Sequence, residues 1–176
     1  MERSDAGCAV PPSGQLDTQA KNELYKETLL RLRQLFSATR DPTARMATIA
    51  ALLKSTFPHF IWVGFYQIVD GELTVGPYQG SPACLVLERH RGVCWTGIDR
   101  ADAVVVPDVH AFPGHIVCDE RAASEVVIPL VDESGWIRGV LDVDSDDLEA
   151  FDDVDAGYLR EIVALVHERR DATPQP

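Results

Sequence analysis

Three of the four cysteines in the chain, Cys84, Cys94 and Cys118, fall in or beside loops of its central region. A single cysteine is most often a small packed hydrophobe. Three in such settings admit two further kinds of chemistry. One is metal binding, with His110 and His115 joining Cys94 and Cys118. The spacing in "HAFPGHIVC" matches no helical ligand pattern, however, and the chain contains no C-x-x-C. The other is thiol redox chemistry, with one attacking thiolate and one or two resolving thiols. Cys118 sits in a polar turn, Gly114 to Ser124, just before the strand-like run "SEVVIPL", and an acid, Glu125, opens that run.

Strand alternation sorts the remaining candidates by face. Asp142 and Asp144 are two apart in "GVLDVDS" and share a face, while Leu141 and Val143 point the other way. Trp62 and Tyr66, four apart in "FIWVGFYQIV", also share a face. A solvated sheet face would tolerate the two aspartates, but Asp is a poor strand residue and two in register beside aromatics are uncommon. The hairpin brings Glu125 near the same patch. Three converging acids cannot all ionise cheaply, so at least one stays protonated near neutral pH. A neutral carboxyl donates a hydrogen bond to an oxygen acceptor, and an ionised one holds an ammonium group. With two aromatic walls, such a site suits a small amine-bearing ligand with an apolar or sulfur-containing part.

The elements that must position these residues follow from periodicity. Residues 1–20 are rich in Pro, Gly and Ser without periodicity and read as a tail, with Cys8 an incidental thiol. A single domain is expected over 21–170. Tyr25, Leu29, Leu32 and Phe36 recur at helical spacing. Asp41-Pro42 then marks the start of a second helix, striped by Met46, Ile49, Leu53 and Phe57. "FIWVGFYQIV" and "DGELTVGPY" form a hairpin through an Asp-Gly turn. "ACLVLE" is a short third strand, "GVCWTGIDRA" a loop and short helix, and "AVVVPDV" another strand. "SEVVIPLVD" and "WIRGVLDVDS" make a second hairpin around Glu133-Ser134-Gly135. A last helix starts at Asp152 and buries Val154, Tyr158, Ile162 and Leu165. Helices at both ends of hairpin-linked strands imply α+β: an antiparallel sheet with the terminal helices on one face and a ligand pocket on the other.

Bulk properties narrow the function. The 176 residues are 45% apolar, enough to bury one core. A net charge of −12 argues against a nucleic-acid or anionic-membrane binder, which needs a cationic footprint. No apolar run approaches the ~18–20 residues of a membrane span, and the N-terminus has no basic-then-apolar signal pattern. The expected location is cytoplasmic, where stable disulfides are rare.

The stretches "WVGFY", "GPYQGSPAC", "RGVC", "DVHAFPGHIVCDERAASEVVIPL" and "GVLDVDS" carry a resemblance. In order and spacing, over residues ~21–168, the chain resembles the free methionine-(R)-sulfoxide reductases, which are single GAF domains. The resemblance implies reduction of free L-methionine-(R)-sulfoxide to methionine, without a cofactor. It makes Cys118 the nucleophile, with Cys84 as the first choice for resolving thiol and Cys94 the second. It also implies thioredoxin as the reductant and a homodimer. In that frame Glu125 and Asp144 serve the sulfoxide oxygen, Asp142 the α-ammonium, and Trp62 and Tyr66 the methyl and thioether end. Backbone N–H groups near Ile116–Cys118 receive the carboxylate. The chain departs from the pattern at Trp95, where a small residue is expected. The competing reading is a non-catalytic small-molecule-sensing GAF module.

Overall fold

The computed structural model describes residues 17–168. Cys8 and residues 1–16 of the expected tail lie outside them, as do residues 169–170 of the expected domain. Helix α1 (Thr18–Leu35) starts earlier than the sequence pattern suggests. The Asp17 carboxylate accepts from the Ala20 N–H at 2.8 Å, satisfying one of the helix's open donors. Residues 18–20 therefore belong to the helix, not to the tail. Helix α2 (Pro42–Thr56) starts where Asp41-Pro42 places it, with Asp41 accepting from the Ala44 N–H at 2.7 Å.

Six strands follow: β1 (Phe60–Val69), β2 (Glu72–Gln79), β3 (Val86–Leu87), β4 (Val104–Val106), β5 (Ser124–Val131) and β6 (Ile137–Ser145). They form one antiparallel sheet in the order β3-β2-β1-β6-β5-β4. The expected strand "ACLVLE" contracts to Val86–Leu87. Just before it the Leu85 carbonyl accepts from the Val75 N–H at 2.9 Å and the Cys84 carbonyl accepts from the Tyr66 hydroxyl at 3.0 Å. "GVCWTGIDR" is helix α3 (Gly92–Arg100), and α4 (Asp153–Ala164) closes the described chain.

The two sheet faces differ in kind. Tyr25, Leu53, Phe65, Val126, Leu141 and Ile162 are fully buried where α1, α2 and α4 cover one face. The opposite face carries Trp62, Tyr66, Val127 and Val140 beneath α3 and its flanking loops. Phe60 and Trp62 fall on opposite faces although two residues apart, because the β1–β6 register shifts between them. That irregularity turns the indole toward the second face.

The helical face is locked by charge as well as by apolar packing. Lys21 Nζ donates to Asp155 at 2.6 Å and to Asp152 at 2.9 Å. The Tyr25 hydroxyl donates to Asp155 at 2.9 Å. Asp152 and Asp155 also form a capping box at the start of α4. At the other end of α4, Arg45 donates to the carbonyls of Leu165 at 2.8 Å and Glu168 at 3.0 Å.

Candidate active site

Strand register places the acids. Trp62, Asp144 and Glu125 are direct partners across β1, β6 and β5, and Gly64, Asp142 and Val127 form the next row. With period-two alternation, Trp62, Asp142, Asp144 and Glu125 all project from the face opposite α1, α2 and α4. Leu141 and Val143 point to the helices, as alternation requires. Tyr66 joins the set one row further along, its ring 5.9 Å from that of Trp62 in a stacked arrangement. The Tyr78 ring also stacks on Trp62, at 5.4 Å. The indole needs glycine on both flanks: a Cβ on Gly64 or on Gly80 would overlap it.

These side chains line two adjoining clefts, one larger than the other. Both clefts are lined by Tyr66, Cys118, Asp119, Asp142 and Asp144. The larger one adds Cys94, Glu125, His115 and Ile116, and the smaller one adds Trp62 and the loop Ser81–Ala83. Glu125 is 5% exposed and Asp142 7%, while Asp144 is half-buried. Among the described residues no Lys, Arg or His forms an ion pair with any of the three. Burial, followed by the charges of Asp142 and Asp144, pushes the Glu125 carboxyl well above its ordinary range. Burial raises Asp142 to about 6, and burial and Asp142 raise Asp144 strongly. The patch therefore favours the protonated forms of Glu125 and Asp144 near neutrality, with Asp142 the most readily ionised. The Oδ1 of Asp142 is buried without a hydrogen-bond partner.

The three cysteines part company. Cys84 and Cys118 form a disulfide, with Cα atoms 5.4 Å apart across 34 positions of sequence. Both are partly exposed, and Cys118 lines both clefts. Cys94, the third residue of α3, is a buried free thiol with its Sγ 3.9 Å from Glu125 Oε1. Burial and then the nearby carboxylates push this thiol well above its ordinary range, which leaves it a poor nucleophile. Trp95 points elsewhere. Its indole N–H donates to the Leu87 carbonyl at 3.3 Å and its ring lies under Arg89 and beside His90, pinning α3 to the end of β3. Of the set His110, His115, Cys94 and Cys118, the last three line the larger cleft, but Cys118 is in the disulfide and the exposed His110 lines neither cleft.

One group escaped the sequence reading. Asp119, next to Cys118, accepts from the Ser81 hydroxyl at 2.6 Å and from the Arg121 guanidinium at 2.7 Å. Those bonds hold its carboxyl far below the usual range. The Ser81 bond fastens the Cys84 loop to the Cys118 loop, and Trp62 Nε1, donating to the Ser81 carbonyl at 3.2 Å, ties the Cys84 loop to β1. The local D-x-R spacing signals the Arg121 bond, but nothing local signals Ser81.

The fold and the site together define a GAF domain bearing a disulfide-linked cysteine pair, one of which, Cys118, lines an acidic, aromatic-walled pocket. No protein-family model matches the chain. The "GAF domain-containing protein A" of Dictyostelium discoideum is 42% identical over 84% of this chain and 92% of its own length. The free methionine-R-sulfoxide reductase of Escherichia coli is 39% identical over 84% of this chain and 89% of its own. Among solved structures, free methionine-R-sulfoxide reductase from Neisseria meningitidis, in complex with its substrate, superposes with a TM-score of 0.79 at 40% identity. That match covers 83% of this chain and 87% of the other. The chain belongs to the free methionine-R-sulfoxide reductase family.

Proposed function

We propose that this L-methionine (R)-S-oxide reductase works through Cys118 and Cys84, with the buried acids handling the protons. The Cys118 thiolate attacks the sulfur of free methionine-(R)-sulfoxide. The S–O oxygen passes to Cys118 as one proton is taken up, so methionine leaves and Cys118 becomes a sulfenic acid. The Cys84 thiol then attacks that sulfur, expelling water and closing the disulfide. A dithiol, thioredoxin, reopens it by exchange. The observation that carries this reading is the Cys84–Cys118 disulfide, whose Cys118 lines a pocket walled by Glu125, Asp142 and Asp144. The buried, proton-holding state of Cys94 favours Cys84 as the resolving thiol.

The acids divide the work by protonation. Glu125 and Asp144, held neutral, donate to the sulfoxide oxygen as negative charge develops on it. Asp142, the first to ionise, pairs its open Oδ1 with the α-ammonium. Trp62 and Tyr66 wall the methyl and thioether end, and backbone N–H groups near Ile116–Cys118 receive the carboxylate. A methionine sulfoxide within a peptide has no free ammonium for Asp142, so the pocket discriminates against protein substrates. A thiol cycle of this kind fits the reducing cytoplasm. Among the described residues no helix is long and apolar enough to cross a membrane. Exposed Leu30 and Leu35 on α1 support a homodimer through the terminal helices.

Treating the reduced protein with one equivalent of free methionine-(R)-sulfoxide, without reductant, tests the sequence of steps. Wild type yields one equivalent of methionine and loses two thiols. Cys84→Ser yields methionine and a trappable sulfenic acid. Full turnover by Cys118→Ser overturns the mechanism.

A further inference from the structure

We propose that Cys94, Glu125 and Asp142 form a binding site for a zinc-like divalent cation that competes with substrate. The thiol sulfur and one oxygen from each carboxyl all lie within 4.8 Å of one another, and all three residues are buried. A tetrahedral zinc bound at ordinary Zn–S and Zn–O lengths sets its ligand atoms about 3.5 Å apart. Cys94 Sγ already stands 3.9 Å from Glu125 Oε1, and the pairs that include Asp142, within 4.8 Å, need to close by no more than about 1.3 Å around an ion.

A second observation points to a ligand. Asp142 is 7% exposed, lines both clefts and keeps Oδ1 without any hydrogen-bond partner. A buried carboxylate oxygen in that state carries an uncompensated desolvation cost, which a cation removes. Cys94 is also unspent by the disulfide, so the set stays intact in the oxidised enzyme.

The donor set selects the ion. One thiolate with two carboxylates suits a borderline metal such as Zn²⁺ or Co²⁺, whereas Mg²⁺ and Ca²⁺ prefer oxygen alone. Three protein ligands leave a fourth position facing the cleft. On binding, the ion replaces the protons of Cys94 and Glu125, which leave to solvent, and its charge offsets the clustered carboxylates. The competition with substrate rests on the roles given above to Asp142 and Glu125; the metal site itself does not.

The test uses protein with the Cys84–Cys118 disulfide closed and Cys8→Ser installed, so that Cys94 is the single free thiol. Titration with Co²⁺ alone should give a near-ultraviolet thiolate-to-cobalt absorption saturating at one equivalent and displaced by Zn²⁺. Cys94→Ser should abolish the band. Asp142→Asn, which keeps the thiol and the shape of the side chain, should weaken Co²⁺ binding at least about tenfold. Excess free methionine-(R)-sulfoxide should weaken it as well. Absence of the band, or a band unchanged in Cys94→Ser, overturns the site. Simultaneous binding of Co²⁺ and sulfoxide without mutual effect overturns the competition. Because metal binding is read directly by absorption, its failure leaves the reductase mechanism standing.

Discussion

Two groups of buried acid lie on opposite faces of the same sheet and are treated in opposite ways. On the helical side, Asp155 is fully buried but receives Lys21 at 2.6 Å and Tyr25 at 2.9 Å. Burial alone would lower the Lys21 pKa, yet its bonds to Asp155 and Asp152 outweigh burial and raise it. On the cleft side, Glu125, Asp142 and Asp144 crowd together without an ion pair among the described residues, and one oxygen is left open. The first arrangement is complete in the folded chain and serves to dock α1 on α4. The second is complete only when something else arrives. A buried acid thus reveals its purpose by whether the fold supplies its partner.

Breaking the satisfied group should have the largest effect on stability. Lys21→Met strands a buried carboxylate and should cost about 3–5 kcal/mol by urea denaturation. The folded fraction should keep wild-type kcat/KM, because the change lies across the sheet from the cleft. Loss of activity in proportion to loss of Lys21, with no loss of stability, would invert the comparison.

The unsatisfied group should respond in the other direction. The folded-state pKa of Asp142, about 6, stands above its ordinary value of 3.8. For an acid with a raised pKa, the native state loses stability as pH rises through that window and recovers it on protonation. At pH 7 the cost is about 3 kcal/mol. Asp142→Asn should therefore stabilise the protein at pH 7, by up to roughly that amount, and the gain should vanish below about pH 4. The same variant should lose roughly 100-fold in kcat/KM through the missing ammonium contact. Urea midpoints collected against pH, beside steady-state kinetics, check both halves.

Smaller effects should come from the loops that bridge the two cysteines. Tyr66→Phe removes the hydrogen bond to the Cys84 carbonyl, worth about 1 kcal/mol. Disulfide closure should slow about fivefold, while the first equivalent of methionine still appears at the wild-type rate; rapid-quench thiol counting separates the two. Ser81→Ala removes the hydroxyl donor to Asp119 and should slow closure by no more than about threefold in the same assay.

How far the sequence reached follows the range of the interactions involved. Alternation sorted Asp142 and Asp144 from Leu141 and Val143 because a side chain's face depends only on its own strand. Asp41 and Asp152 were legible as caps because capping spans three residues. The same logic missed Asp17, which sits at the end of a stretch whose composition reads as tail. It could not see the register shift beside Trp62, which depends on β6. Nor could it decide between Cys84 and Cys94. That choice depends on loop paths that bring Cys84 to Cys118 across 34 residues while α3 buries Cys94. The Ser81–Asp119 bond spans 38 residues and has no local signature at all.

The Cys84–Cys118 link closes a loop that contains all of α3 and β4. Restricting a loop of that size in the unfolded chain stabilises the oxidised form by up to about 4 kcal/mol. The spent molecule is thus the sturdier one and the recharged molecule the looser. In a cell under oxidant load, the population waiting for electrons would resist proteolysis best. Its melting temperature would then read out, like a fuel gauge, how many molecules are still charged.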